Sequence, residues 1–96
     1  AVVNREGQSL DLLNVEINIA GSDVNAPYIF GVEDPSLLIN SPYSGGPFYG
    51  YRQVIFGGHL VTVVVVEQYP VSGRIWGNTY DHNASTWYGW KASTMQ

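Results

Sequence analysis

The stretch that most restricts what this chain can fold into is His59-Leu60-Val61-Thr62-Val63-Val64-Val65-Val66-Glu67, entered through Gly57-Gly58. Six β-branched residues in succession suit a pleated strand and crowd a helix. Because apolar residues fall on both faces, the run predicts a central strand buried on both sides. Gly57-Gly58 predicts a tight hairpin turn, which pairs the run with residues 48–56. There Phe48, Gly50, Arg52 and Val54 alternate with Tyr49, Tyr51, Gln53 and Ile55. A chain of 96 residues makes one small domain and buries only about two-thirds of its surface. Another subunit is the easiest way to cover both faces of such a strand, so the run also predicts an oligomer.

A second hairpin closes the chain. Residues 73–81 and 85–91 are rich in aromatic and β-branched side chains, hold all three tryptophans, and are separated by Asp81-His82-Asn83-Ala84. That pattern predicts two strands joined by a loop of about four residues. Upstream, Tyr28-Ile29-Phe30-Gly31-Val32 reads as a strand after the Pro27 break, and Glu33-Asp34-Pro35-Ser36 as a turn. Leu37-Leu38-Ile39 is short and apolar. Residues 40–47 form the longest loop signal, with two prolines and two glycines. Near the start, Leu13, Val15, Ile17 and Ile19 alternate with Asn14, Glu16 and Asn18, which predicts a half-buried strand. A boundary is expected near Gly21-Ser22-Asp23, dividing a lead-in strand or shaft end (1–22) from a β domain (23–96). Turn signals recur every 8 to 12 residues and helix should be minimal. The expected fold is all-β, a small antiparallel sandwich or barrel-like knob of about six to eight short strands.

Composition excludes several functions. With 12% charged residues, a net charge of −4 and four basic side chains, the chain has no electrostatic footprint for nucleic acid or an anionic membrane. Its apolar run is too short to span a bilayer, so no membrane insertion is expected. Without cysteine there is no disulfide framework and no thiolate ligand or nucleophile. His59 and His82, the two histidines, are expected on opposite sides of the hairpins, with no metal cluster and no cofactor. Asp81, His82 and Ser85 contain the residue types of a catalytic triad, but three polar residues in a turn are what a turn looks like anyway. Glu33 and Asp34 point opposite ways in a Pro-terminated turn, unlike a glycosidase pair. No catalytic residue is assigned.

The aromatic set carries the functional expectation. Alternation places Arg74, Trp76, Asn78 and Tyr80 on one face of their strand. Trp76 and Tyr80, with Asn78, Asp81 and His82 beside them, supply flat apolar platforms and planar polar groups, the mixture that a sugar site uses. Tyr43, Tyr49 and Tyr51 are candidates to extend it. Tyr88 is the expected exposed member of the last strand, with at least one of Trp87 and Trp90 structural. The competing reading packs Trp76, Trp87 and Trp90 into the core or a subunit interface.

Gly73-Arg74-Ile75-Trp76, Thr79-Tyr80-Asp81, Trp87 and Trp90-Lys91 together resemble the closing hairpin of the knob domains of phage tail fibres and R-type pyocin fibres. That family has a Gly-Arg-Ile-aromatic-x-Arg-Thr-Tyr-(Asn/Asp) signature followed by two tryptophans and a basic residue. Asn78 stands where the signature has arginine. Asn25-Ala26-Pro27 and Val61-Thr62 also match family elements, so the resemblance spans roughly residues 25 to 92. It implies a homotrimeric, non-enzymatic receptor-binding tip, located on the virion, that attaches a tail fibre or spike to a cell-surface polysaccharide or lipopolysaccharide. Trp76, Asn78, Tyr80, Asp81, His82 and Tyr88 are then the expected ligand-binding residues. The first residues lack a charged segment followed by an apolar one, so no secretory signal is expected, and on the resemblance the chain is expected to be a piece of a longer fibre protein. A structural trimerisation or capping domain with no ligand of its own is the alternative.

Overall fold

The computed structural model describes residues 8–94. Among them are eight strands: β1 (Leu10–Asp11), β2 (Tyr28–Val32), β3 (Leu38–Ile39), β4 (Phe48–Gly57), β5 (Leu60–Tyr69), β6 (Arg74–Asp81), β7 (Thr86–Trp87) and β8 (Lys91–Thr94). Helical structure is confined to two 3₁₀ turns, Asp23–Asn25 and Pro35–Leu37. The protein is all-β, as the alternation and turn spacing predict.

Strands β4 and β5 are the centre of a six-stranded antiparallel sheet in the order β2-β4-β5-β6-β7, with β8 also pairing β6. Gly57 pairs with Leu60, and Gly58 takes φ +61° at the turn, a conformation that favours glycine. The inner face of the sheet carries Tyr28, Phe30 and Val32 from β2, Phe48 from β4, and Val63 and Val65 from β5. A second layer covers this face. It consists of the loops at 12–27 and 33–47 and a two-residue parallel ladder between β1 and β3, and contributes Leu10 and Leu12 to the core.

Two expectations are corrected here. First, β5 is fully buried on one face only. Val61, Val63, Val65 and Glu67 are buried, whereas Leu60, Thr62, Val64 and Val66 are half-buried, because no described element lies over the outer face. Second, residues 13–19 form no strand despite their period-two pattern. Their backbone groups bond to side chains instead of to a neighbouring strand. Leu13 N donates to Asp11 Oδ1, Glu16 N donates to Asn25 Oδ1, and Asn25 Nδ2 donates to Glu16 O and Ile19 O. The described part of 1–22 packs with the rest of the chain. Leu10 and Leu12 lie in the common core, and Arg52 donates from Nε to Leu12 O and from Nη2 to Asn14 O. Residues 1–7 of that segment lie outside the described residues.

Candidate functional site

Antiparallel pairing of β5 with both neighbours brings two turns together. Leu60 is opposite Gly57 on one side and Asp81 on the other, so the β4–β5 turn and the β6–β7 turn share one end of the sheet. His82 N donates to His59 O at 2.8 Å, and His59 Nε2 lies 3.9 Å from Asp81 Oδ1. The expected separation of the two histidines is therefore wrong. They are neighbours, because each follows or precedes a strand paired to the same end of β5.

Asp81 organises this end. Its Oδ1 accepts from Asn83 N and Ala84 N, closing the turn, while Oδ2 accepts the hydroxyl of Tyr88. The Tyr88 hydrogen bond, joined by the turn amides and the nearby His59, holds the Asp81 carboxyl below its usual pKa. The same bond, with some desolvation, raises that of Tyr88. The phenol thus stays a donor to a carboxylate across neutral pH. Tyr88 is 53% exposed, and His82 and Asn83 beside it are exposed. Tyr80 lies beneath, its ring centroid 5.3 Å from that of Trp87 and 6.5 Å from that of His82. Four expected ligand-binding residues, Tyr80, Asp81, His82 and Tyr88, are thus gathered at one hairpin end.

The other two lie deeper. Trp76 and Asn78 share a face, as alternation predicted, and register sets them opposite Val65 and Val63, which makes that face the inner one. Trp76 is half-buried against the core, with its Nε1 donating to Glu67 Oε1 at 2.9 Å. Asn78 is buried, and its Oδ1 accepts from Gly89 N at 2.9 Å. Strands β7 and β8 both run along β6, and Asn78 bridges the gap between them, where Gly89 turns out of line at φ +97°. Both side chains therefore have structural partners, in keeping with the reading that placed Trp76 in the core. Trp87 and Trp90 also pack on it, and Trp90 Nε1 donates to Asn40 O. Tyr43 packs on Phe48 and beside Arg74, whereas Tyr49 and Tyr51 stand on the sheet's outer face, so none of the three extends the hairpin site.

Two polar residues that no site reading singled out are buried in the core, and each organises a loop. Glu67 Oε1 accepts from Arg74 Nε at 2.6 Å and from Trp76 Nε1, and Oε2 accepts from Arg74 Nη2 and Val71 N. Arg74 in turn lies over the Trp76 ring, 4.8 Å from its centroid. Burial pushes the Glu67 pKa up, but these hydrogen bonds and the Arg74 charge outweigh it and hold the carboxyl below its usual range. Arg52, with the guanidinium 4.9 Å over the Tyr28 ring, binds the 12–24 loop through three backbone carbonyls. The signal for both was in the alternation. Arg52 shares a face with Phe48, and Glu67 ends the row Val61, Val63, Val65, so each is a charge on an apolar face that requires dedicated partners.

By fold, the chain is a small all-β protein built on one antiparallel sheet with a loop layer over its inner face. Compared with protein-family models, with curated proteins and with solved structures, it matches none.

Proposed function

We propose that the chain is a non-enzymatic receptor-binding tip of a phage tail fibre or spike that attaches the virion to a host cell-surface polysaccharide or lipopolysaccharide. The observation that carries this reading is the exposed Tyr88 ring, clamped by Asp81 and set among the exposed His82 and Asn83. An aromatic ring held before the ligand arrives loses little side-chain entropy on binding, and its face suits the C–H surface of a pyranose. Binding at one such shallow site is weak. Several copies on one fibre raise it by effective concentration. The location on a virion rests on the resemblance of residues 73–91 to fibre knobs.

The test is a glycan array read with the wild-type chain and with Tyr88→Ala. Tyr88 makes its one side-chain hydrogen bond at the surface, so the variant should keep its fold and its oligomeric mass while losing glycan retention about tenfold or more. Equal retention by the two proteins rules out the hairpin as the binding surface.

A second reading, a structural trimerisation or capping domain, is favoured by the outer face of the sheet. Strands β2, β4 and β5 place Ile29, Tyr51, Ile55, Val64 and Val66 on it and no charged side chain. In a chain of net charge −4, an uncharged face is where copies can meet without repulsion. The two readings are compatible, since a homotrimer formed through this face leaves the hairpin end open.

A further inference from the structure

Both histidines of the chain meet at the hairpin end around one carboxylate. His59 Nε2 lies 3.9 Å from Asp81 Oδ1, and His82 N donates to His59 O at 2.8 Å. Both histidines are exposed. We propose that this end binds an acidic saccharide, one that carries a carboxylate, and holds it more tightly in mild acid than at neutral pH because the two histidines then reverse the local charge. The inference rests on the reading of this hairpin as a glycan-binding surface, and adds to it the class of sugar and the condition under which that sugar is held.

Few charges face this end of the sheet. The β4–β5 turn brings His59, β6 brings Asp81 with Tyr80 beside it, the β6–β7 turn brings His82, and Tyr88 follows β7. Across residues 53–66 and 78–90, His59, Asp81 and His82 are the only acidic, basic or histidine side chains. Lys91 is opposite Gly77, four residues along β6 from Asp81. At neutral pH the charge at the two turns is therefore that of Asp81, which repels a sugar carboxylate. Histidine is the side chain that ordinarily gains its charge between about pH 8 and about pH 5, whereas phenols stay neutral there. Two added positive charges outweigh one carboxylate, so the same end turns from negative to positive.

The aromatic platform is unaltered by this change. The Tyr88 hydroxyl and the amides of Asn83 and Ala84 bond to the Asp81 carboxylate and hold its pKa below the ordinary aspartate value. Asp81 thus keeps its charge in mild acid and continues to clamp Tyr88. The two histidines take different parts. A protonated His59 faces Asp81 across 3.9 Å and offsets the one negative charge of the site. His82 stands beside the Tyr80 ring, 6.5 Å between centroids, next to the exposed Asn83, and presents its charge to the ligand. A neutral sugar carries nothing for that charge to attract, so pH separates the two classes of sugar at one site.

D-glucuronate differs from D-glucose in bearing a carboxylate on its last carbon, so the pair isolates the charge. The experiment records ¹H–¹⁵N spectra of the full chain at about pH 8 and about pH 5, titrated separately with D-glucuronate, N-acetylneuraminate, D-glucose and, as a bare carboxylate, acetate. At least one acidic sugar should give saturable shifts at the amides of residues 81–88, with an affinity about fivefold or more higher at the acidic pH, the scale of one or two exposed charge pairs. Added salt should shrink that gain. His59→Gln and His82→Gln should each remove part of the gain and the double variant all of it, while unmoved β5 amides show an intact fold. Absence of saturable shifts with both acidic sugars in acid, an equal gain with glucose or acetate, or a gain that survives in the double variant overturns the proposal. The glycan array separates this failure from that of the parent reading. Neutral glycans retained by the wild type and lost by Tyr88→Ala, with acidic glycans no better retained in acid, remove the acid selectivity and leave the hairpin as the binding surface. Retention of neither class removes both.

Discussion

At the scale of single residues, the buried charges decide more than the buried hydrocarbons do. Glu67 continues the row of Val61, Val63 and Val65 but ends in a carboxylate that accepts four hydrogen bonds from Arg74, Trp76 and Val71. Such a pair adds little over an apolar replacement, yet removing one partner strands the other. Glu67→Gln should therefore destabilise the fold by about 3 kcal/mol, read as a lowered urea midpoint at neutral pH. The pH dependence follows from the sign of the shift. The folded-state pKa of Glu67 lies below its ordinary value, so its contribution is complete above that value and disappears as pH falls through the folded one. The gap between wild type and Glu67→Gln should narrow on acidification below the usual glutamate range. A gap that is constant from neutral to strongly acidic pH contradicts the assignment. Asp81, held low by Tyr88, acts in the same direction, so Glu67→Gln should still lose some stability in acid.

Elements show where periodicity succeeds and where it misleads. Strand β2 runs over Tyr28–Val32 with alternating burial, as its pattern predicts. The equally regular pattern at 13–19 forms no strand, because Asn25 binds that stretch through three hydrogen bonds to the backbone of Glu16 and Ile19. Asn25→Ala leaves those groups without partners and should cost about 2 kcal/mol, with the Glu16 amide losing hydrogen-exchange protection well before the amides of β5. Equal protection in the two proteins would show that the loop is held by other means. Gly50 marks a second departure from regularity. The register of β4 against β5 shifts between Tyr49 and Gly50, and a Cβ on Gly50 would stand 2.6 Å from Val66 O and 3.2 Å from the Phe30 ring. Backbone cannot give way as a flexible side chain can, so Gly50→Ala should destabilise by about 2 kcal/mol, measured as a fall in Tm.

The whole molecule has two unlike faces. One side of the sheet is closed by loops, of which Arg52 and Asn25 hold the 12–25 stretch in place, and the other has no described layer over it, leaving Ile29 and Ile55 about half exposed (54% and 49%). The homotrimer proposed for this chain would cover that face. Light scattering on the purified chain should then give three times the 10.6 kDa chain mass. Ile55→Lys should give a monomer with little change in monomer stability, since a surface substitution usually moves it by no more than about 0.5 kcal/mol. A wild-type monomer would remove the trimer and leave a single-copy binding domain.

Sequence alone determined strands β2, β4, β5 and β6, the alternation of side chains along them and the turns after β4 and β6, because alternation and Gly or Pro punctuation are local and survive in one dimension. It identified the aromatic closing hairpin and the exposure of Tyr88, and it placed Arg52 on an apolar face. Tertiary structure alone decided which side of β5 is covered, that His59 meets His82, and that Trp76 and Asn78 have partners within the fold. These all depend on groups distant along the chain, such as Arg52 with Leu12 and Asn14, 40 and 38 residues apart. Hydrogen bonds of that span leave no period in the sequence, since the partner is often a backbone carbonyl that any residue could supply.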